Sequence, residues 1–227
     1  IQKWFSYHLS YNLTLNDNVF GFIPGRSAIY AASLHCGAKW IYNVDVENFF
    51  PNISFEMVND RLVKIGYTAY AANLISKLVC CKSSLVQGSP ASPVLSNLIF
   101  MDLDDIFTEL AKKYNIKYTR YADDIVFSSR SFNSDIYSEL QEQVHKQLNS
   151  YGFNVAKQKE KLSLLPHRLK VHGLLVHNEY PRLTKKYRNK IRAYRHLLSN
   201  EKICNADKNK ILGHIAYAKG VESFYPV

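Results

Sequence analysis

The sequence predicts an α+β fold, and three observations carry that expectation. KWIYNVDV at 39–46 and the stretch 117–129 are rich in β-formers and alternate as strands do. Between and after them lie long helical patterns, 93–112 and an amphipathic 134–151 with Ile136, Leu140, Val144 and Leu148 on one face. There is no internal repeat, no low-complexity segment and no apolar run of membrane-spanning length.

Taken in order, residues 1–15 space Trp4, Phe5, His8 and Leu9 as a helix would. GFIPGRS at 21–27 is a Gly/Pro loop, and Ser27 is a candidate cap for a helix over 28–36. The strand 39–46 precedes helices over 54–66 and 68–81. VQGSPASP at 86–93 is a loop whose Pro and Ser residues open the helix 93–112. A strand, two-residue turn and strand fill 117–129. Gly152 ends the helix over 134–151, and strands follow at 160–165 and 170–176. Leu183, Tyr187, Ile191, Tyr194 and Leu198 then mark an amphipathic helix whose other face carries Lys185, Arg188, Arg192 and Arg195.

The 227 residues suffice for one or two domains with a sizeable core. The chain starts without Met and in mid-pattern, and reads as a fragment or as the ordered part of a longer protein. No signal-peptide pattern is present, and no membrane partner is expected. Cys36, Cys80, Cys81 and Cys204 form no CxxC pair, and the histidines form no zinc-like cluster. This usage points to a reducing cytosol, with Cys80 and Cys81 as core residues. Charge is segregated. Residues 1–156 hold 13 Lys and Arg against 14 Asp and Glu, net −1; residues 157–227 hold 16 against 5, net +11. A neutral body with a basic last third suggests a polyanion, nucleic acid first, although a solvated basic surface has the same composition.

The chemistry is carried by acids. In RYADDIVFS at 120–128, Asp123 and Asp124 stand side by side between apolar residues. A plain turn would account for them, because Asp side chains bond nearby backbone N–H groups. Alternatively a hard divalent cation such as Mg²⁺ relieves their repulsion. A third acid, Asp45, closes the strand 39–46, where an unpaired charge is expensive. If the two strands lie side by side in one antiparallel sheet, the three acids face one spot and suit two Mg²⁺ ions about 3.5–4 Å apart, the arrangement of metal-assisted phosphoryl transfer.

At this point a family resemblance emerges. NVDVENFF, QGSPASPVLSNLIF, YADD, GFNVAKQKEKL and VHGLLV follow one another as the motifs of a reverse transcriptase palm do, over nearly the whole chain. The arrangement is most similar to bacterial retron reverse transcriptases. Two retron signatures depart: Ala31 stands where that subgroup has Asn, and His172 where it has Thr. The resemblance implies a right-hand polymerase: fingers at 1–37 and 56–91 without their N-terminal part, palm at 38–55 and 92–180, and the start of a basic helical thumb at 181–227. It implies an RNA-directed DNA polymerase that copies part of a structured noncoding RNA into a small single-stranded DNA attached to it, in antiphage defence. An effector protein is a further implied partner. Another defence-associated or group II intron-like reverse transcriptase shares the core motifs, and a catalytically idle RNA-binding scaffold is the contrasting reading.

The same resemblance assigns roles. Asp45, Asp123, Asp124 and the Val46 carbonyl would hold two Mg²⁺ ions, with Mn²⁺ able to substitute. Phe50 would exclude the ribonucleotide 2′-OH, while Phe49 is a core aromatic. Gln87 and Gly88 would meet the incoming dNTP and the template. Lys159 would act at the triphosphate, with Lys157 and Lys161 close in sequence. Arg26, His35 and His172 are candidates for RNA contact, each with a structural alternative. Arg120 would support the acids or lie on the surface. Lys185, Arg188, Arg192 and Arg195 would follow an RNA–DNA duplex.

Overall fold

A computed structural model describes residues 1–199 and 205–224. Part of the expected thumb span, and Cys204, therefore lie outside the described residues. The elements run α1 (Gln2–Asn12), α2 (Ala28–Ser33), β1 (Trp40–Asp45), α3 (Phe55–Lys64), α4 (Ala69–Val79), β2 (Cys80–Cys81) and β3 (Ser84–Leu85). Then come α5 (Ser92–Lys113), β4 (Lys117–Tyr121), β5 (Asp124–Ser129), α6 (Ser134–Ser150) and β6 (Lys161–Leu164). The chain continues through β7 (Lys170–Val171), β8 (Leu174–Leu175), β9 (Arg182–Leu183), α7 (Lys185–Ser199) and α8 (Asn205–Glu222).

Local chemistry sets the helix starts. Ser27, Ser54 and Thr68 each accept a hydrogen bond from the backbone N–H three residues on, and Asn133 accepts from Asp135 and Ile136. Pro93 lies in the first turn of α5, where its missing N–H costs nothing.

The central sheet has the order β4–β5–β1–β6, antiparallel throughout. Its strands alternate between two cores. Trp40, Tyr42 and Val44 of β1 with Ile125 and Phe127 of β5 pack among α3, α5 and α6. Ile41 and Val126 face the opposite way, toward α2, the β7–β8–β9 sheet, α7 and α8. The alternation in 117–129 suggests strands exposed on one face. In fact Tyr118–Arg120 and Ile125–Ser128 are all buried, because the second layer covers the other face.

Two expectations are corrected and one element is new. The helix expected over 68–81 stops at Val79; Cys80 and Cys81 form a hairpin with Ser84 and Leu85, turning through left-handed Lys82 and Ser83. No Gly or Asn advertises that turn. Cys81 is consequently exposed and Cys80 only half-buried. The strand expected over 170–176 is two short strands around a turn at His172 and Gly173, both of positive φ. Helix α8, for which the sequence pattern offers no element, buries Ile211, Ala218 and Val221; Gly213 and Gly220 weaken its helical pattern.

Candidate active site

Asp45, the last residue of β1, pairs in register with Asp124, the first of β5. Directly opposed residues of an antiparallel pair point to the same face, so the two acids stand together. Asp123 sits in the two-residue turn between β4 and β5. Its backbone carbonyl accepts the Val46 N–H at 3.2 Å, and the Asp45 carbonyl accepts from Ala156 at 2.8 Å. Backbone bonds thus lock the three acids to one sheet edge.

That turn is held from both sides. Ala122 adopts φ 56°, a left-handed conformation uncommon for a residue with a side chain. Arg120 donates to the Ala122 carbonyl at 3.0 Å, and its Nε and Nη2 donate to the two carboxylate oxygens of Asp104 at 2.7 and 2.6 Å. Tyr118 adds a hydroxyl bond to Asp104 at 2.6 Å. Arg120 and Asp104 are both fully buried. On the other side Gly21 packs against the turn; a Cβ there would lie 2.3 Å from the Ala122 nitrogen. Asn97 fixes Gly21 by donating to its carbonyl at 2.9 Å. Arg120 is therefore not a surface residue: its bonds go to Asp104 and to the turn that presents Asp123. Asp104, Gly21 and Asn97 were not singled out as site residues. Asp104 falls inside the helical pattern 93–112, and nothing in the sequence alone pairs it with Arg120.

Asp45, Asp123, Phe50, Gln87, Gly88 and Lys159 line one cleft of about 920 Å³. Lys159 donates to Asp45 Oδ1 at 2.8 Å, which raises its own pKa. Neither Lys157 nor Lys161 lines this cleft. Phe50 is half-buried beside the Phe22 ring, centroids 6.1 Å apart, whereas Phe49 is in the core. Gly88 has φ 92°, so the backbone there approaches the cleft in a conformation that suits Gly. Asp124 lines an adjoining cleft instead, with its carboxylate 3.5 Å from His172 Nδ1.

Burial is the main reason that Asp123 holds its proton more tightly than usual, and the charges of Asp45 and Asp124 act in the same direction. Among the described residues no three Asp, Glu, His or Cys side chains stand close enough to enclose an ion as they are. The ammonium of Lys159 already neutralises Asp45. Crowded carboxylates, one of them partly buried and reluctant to ionise, are a donor set that a hard divalent cation fits, because the cation removes the repulsion.

Other candidates are placed differently. His35 is buried, and its ring nitrogens bond Ser128 Oγ and Thr119 Oγ1, both at 2.7 Å. It ties α2 to the sheet and presents no face to RNA, contrary to its candidacy for RNA contact. Arg26 spends its guanidinium on the carbonyls of Asn16 and Val19 and on Asp17, closing its own loop instead of reaching outward. His172 packs on Tyr121 beside Asp124. Lys185, Arg188, Arg192 and Arg195 are exposed along α7, with Arg188 and Arg195, three residues before and four after, flanking buried Ile191.

The profile of the family described as reverse transcriptase (RNA-dependent DNA polymerase) matches residues 1–216. The retron Ec86 reverse transcriptase of Escherichia coli is 28% identical over 98% of this chain and 68% of its own length. The retron Ec73 enzyme of the same species is 30% identical over 99% of this chain and 76% of its own. Other retron relatives are matched over about half of their length. Among solved structures, telomerase from Candida albicans in complex with a fragment of telomeric RNA aligns with a TM-score of 0.53 at 12% identity, over 97% of this chain and 46% of that one, which is a likeness of fold. The chain belongs to the reverse transcriptase family, in its retron type, and its central sheet with backing helices is the polymerase palm.

Proposed function

We propose that this chain is the polymerising core of a retron reverse transcriptase, extending a nucleic-acid primer on an RNA template with dNTPs. The observation that carries this reading is the register of Asp45 with Asp124, which puts Asp123 beside Asp45 in a cleft that also holds Lys159, Phe50, Gln87 and Gly88. Asp45 and Asp123, with Asp124 and the Val46 carbonyl at the rim, would hold Mg²⁺, or Mn²⁺ in its place. Ions held there would supply charge that lowers the pKa of the attacking hydroxyl and stabilises the leaving pyrophosphate.

The remaining roles belong to the chain's own groups. Lys159 keeps its proton on Nζ through the bond to Asp45 and carries that charge at the position of the triphosphate. Gly88 lets the backbone approach the nucleotide, and Gln87 orients it. Phe50 limits the room at the sugar, so that a 2′-OH clashes. The exposed basic face of α7 holds the product duplex through its phosphates. In this reading residues 1–37 and 56–91 are fingers, 38–55 and 92–180 palm, and 181–227 the start of the thumb. The template is a structured noncoding RNA, the product a single-stranded DNA attached to it, and the setting is antiphage defence in the cytoplasm, with an effector protein as a further partner.

Primer extension on an RNA template tests the reading. Incorporation should require Mg²⁺ or Mn²⁺. Phe50→Ala should admit ribonucleotides with dNTP incorporation retained, because a gate that acts by bulk is lost with the ring. An unchanged dNTP/rNTP preference in folded Phe50→Ala protein would remove Phe50 from the sugar site.

A further inference from the structure

Lys159 carries its charge on a long side chain that is more than half exposed, so packing around that side chain does not fix it. Its place depends on the backbone of the turn 157–159 that bears it. The start of that turn is tied to β1. The Ala156 N–H donates to the Asp45 carbonyl at 2.8 Å, and the Ala156 carbonyl accepts from Lys159 at 2.8 Å and from Glu160 at 3.1 Å. The end of the turn is tied by a side chain, that of Glu160, which does not line the cleft holding Lys159.

Three donors converge on one oxygen of Glu160. The Tyr42 hydroxyl, the Gln141 amide and His145 Nε2 all bond Oε1, the last two at 2.8 and 2.7 Å. An ionised carboxylate only accepts, so Nε2 of His145 carries a proton. Burial alone would raise the Glu160 pKa, but the bonds from Tyr42, Gln141 and His145 outweigh it and hold the group below the ordinary carboxylate value. The Glu160 side chain is 12% exposed and Tyr42 is fully buried. A tie between α6 and the sheet does not need such a group, because apolar side chains do the same without burying a charge. The position of Glu160 beside Lys159 gives the charge a reason. Strand β1 holds the turn at both ends, through Asp45 and Tyr42, and the same strand presents Asp45 to Lys159.

We propose that Glu160 is a positioning residue for nucleotide addition: its bonds to Tyr42, Gln141 and His145 fix the turn 157–159 and aim the Lys159 ammonium into the polymerase cleft. Glu160 acts through Lys159 and not on the nucleotide. A misplacement of about 1 Å at a reacting centre can cost about 10²-fold in rate, so a loosened turn has a kinetic consequence. That consequence rests on the polymerase reading; the fixing of the turn does not.

The test joins amide hydrogen exchange with single-nucleotide addition at saturating dNTP, in the full chain. In Glu160→Ala the Lys159 and Glu160 amides should exchange at least about ten-fold faster, while those of β5 stay protected. Addition should fall about ten-fold. Glu160→Gln keeps an acceptor oxygen and should recover part of both. Tyr42→Phe keeps the buried ring and removes one donor; it should shift both readouts the same way by less, and it decides the matter if Glu160→Ala does not fold. In a Lys159→Met background Glu160→Ala should cost no more than about two-fold, because nothing is left to position. Equal fold-losses in the two backgrounds, or unchanged exchange of the Lys159 and Glu160 amides in the folded variants, would overturn the proposal and leave Glu160 as a tie between α6 and the sheet. Normal addition by Lys159→Met alone would instead contradict the role of Lys159 in the polymerase reading, and exchange would still decide whether Glu160 fixes the turn.

Discussion

The sheet end proposed to carry the chemistry and the basic helix α7 handle charge in opposite ways. Around Asp123 the charged groups are committed to partners: buried Arg120 to Asp104 and Ala122, and the more exposed Lys159 and Asp124 to Asp45 and His172. Along α7, Lys185, Arg188 and Arg192 face solvent, and Arg195 reaches Glu222 only at 3.9 Å. The first arrangement is all-or-none, because each group has one position and one partner. The second would be additive if α7 meets phosphates as proposed, because each contact would contribute a similar, screened increment. Single substitutions should therefore be severe at the sheet edge and mild along the helix.

The largest effect should come from Asp123→Asn. The fold tolerates the change, since removing one acid relieves repulsion from Asp45 and Asp124. Nucleotide addition should nevertheless fall by roughly 10³-fold or more, about 4 kcal/mol of barrier. A near-normal rate in single-turnover measurements would mean that this carboxylate does not act at the reaction centre.

Next in size is Asp104→Asn, which touches no substrate. It strips the buried Arg120 of its counter-charge, and breaking such a pair costs about 3–5 kcal/mol. Urea unfolding should show that loss. A change below about 1 kcal/mol would mean that the turn carrying Asp123 is held by backbone bonds and Gly21 alone.

A smaller effect separates the regions by pH. Burial, first, and the neighbouring His172 and Lys117 lower the His35 pKa to about 3, from an ordinary value of 6.5. Folded His35 stays neutral while the unfolded chain takes up a proton below pH 6.5. Stability is thus complete above that value and declines toward pH 3, by about 1.4 kcal/mol per pH unit. Between pH 7 and pH 5 the loss from this group is about 2 kcal/mol. His35→Gln should be less stable than wild type at pH 7 but lose less on acidification. Equal losses in both proteins would contradict the burial argument.

How much of this was legible in the sequence follows the same division. Asp45, Asp123 and Asp124 could be read because charge inside β-forming stretches is costly and needs a reason. Phe50 and Phe49, by contrast, were told apart only through the family resemblance; the burial of Phe49 agrees with a core role. The α7 stripe was legible from its 3.6-residue period. What was hidden depends on tertiary context. The Arg120–Asp104 pair joins residues that look like surface charges when read alone. His35 could be read either as a structural histidine or as a contact to RNA, and its bonds to Ser128 and Thr119 appear only in the fold. The Cys80–Leu85 hairpin turns through Lys82 and Ser83, a pair with no turn signature. The hydrophobic alternation identified the strands but not the second layer, because a sheet covered on both faces still alternates between two cores.

The central claim is that chemistry resides at the sheet edge and grip on the product in the basic helix. The most direct measurement compares Asp123→Asn with Arg188→Gln, Arg192→Gln, Arg195→Gln, scoring single-nucleotide addition and RNA–DNA duplex affinity across a salt series. Asp123→Asn should lose addition and keep duplex affinity. The triple variant should keep single addition, bind duplex more weakly, and show a log K against log salt slope shallower by about one unit per lost phosphate contact. Parallel salt lines for wild type and triple variant, or loss of duplex binding in Asp123→Asn, would contradict that division.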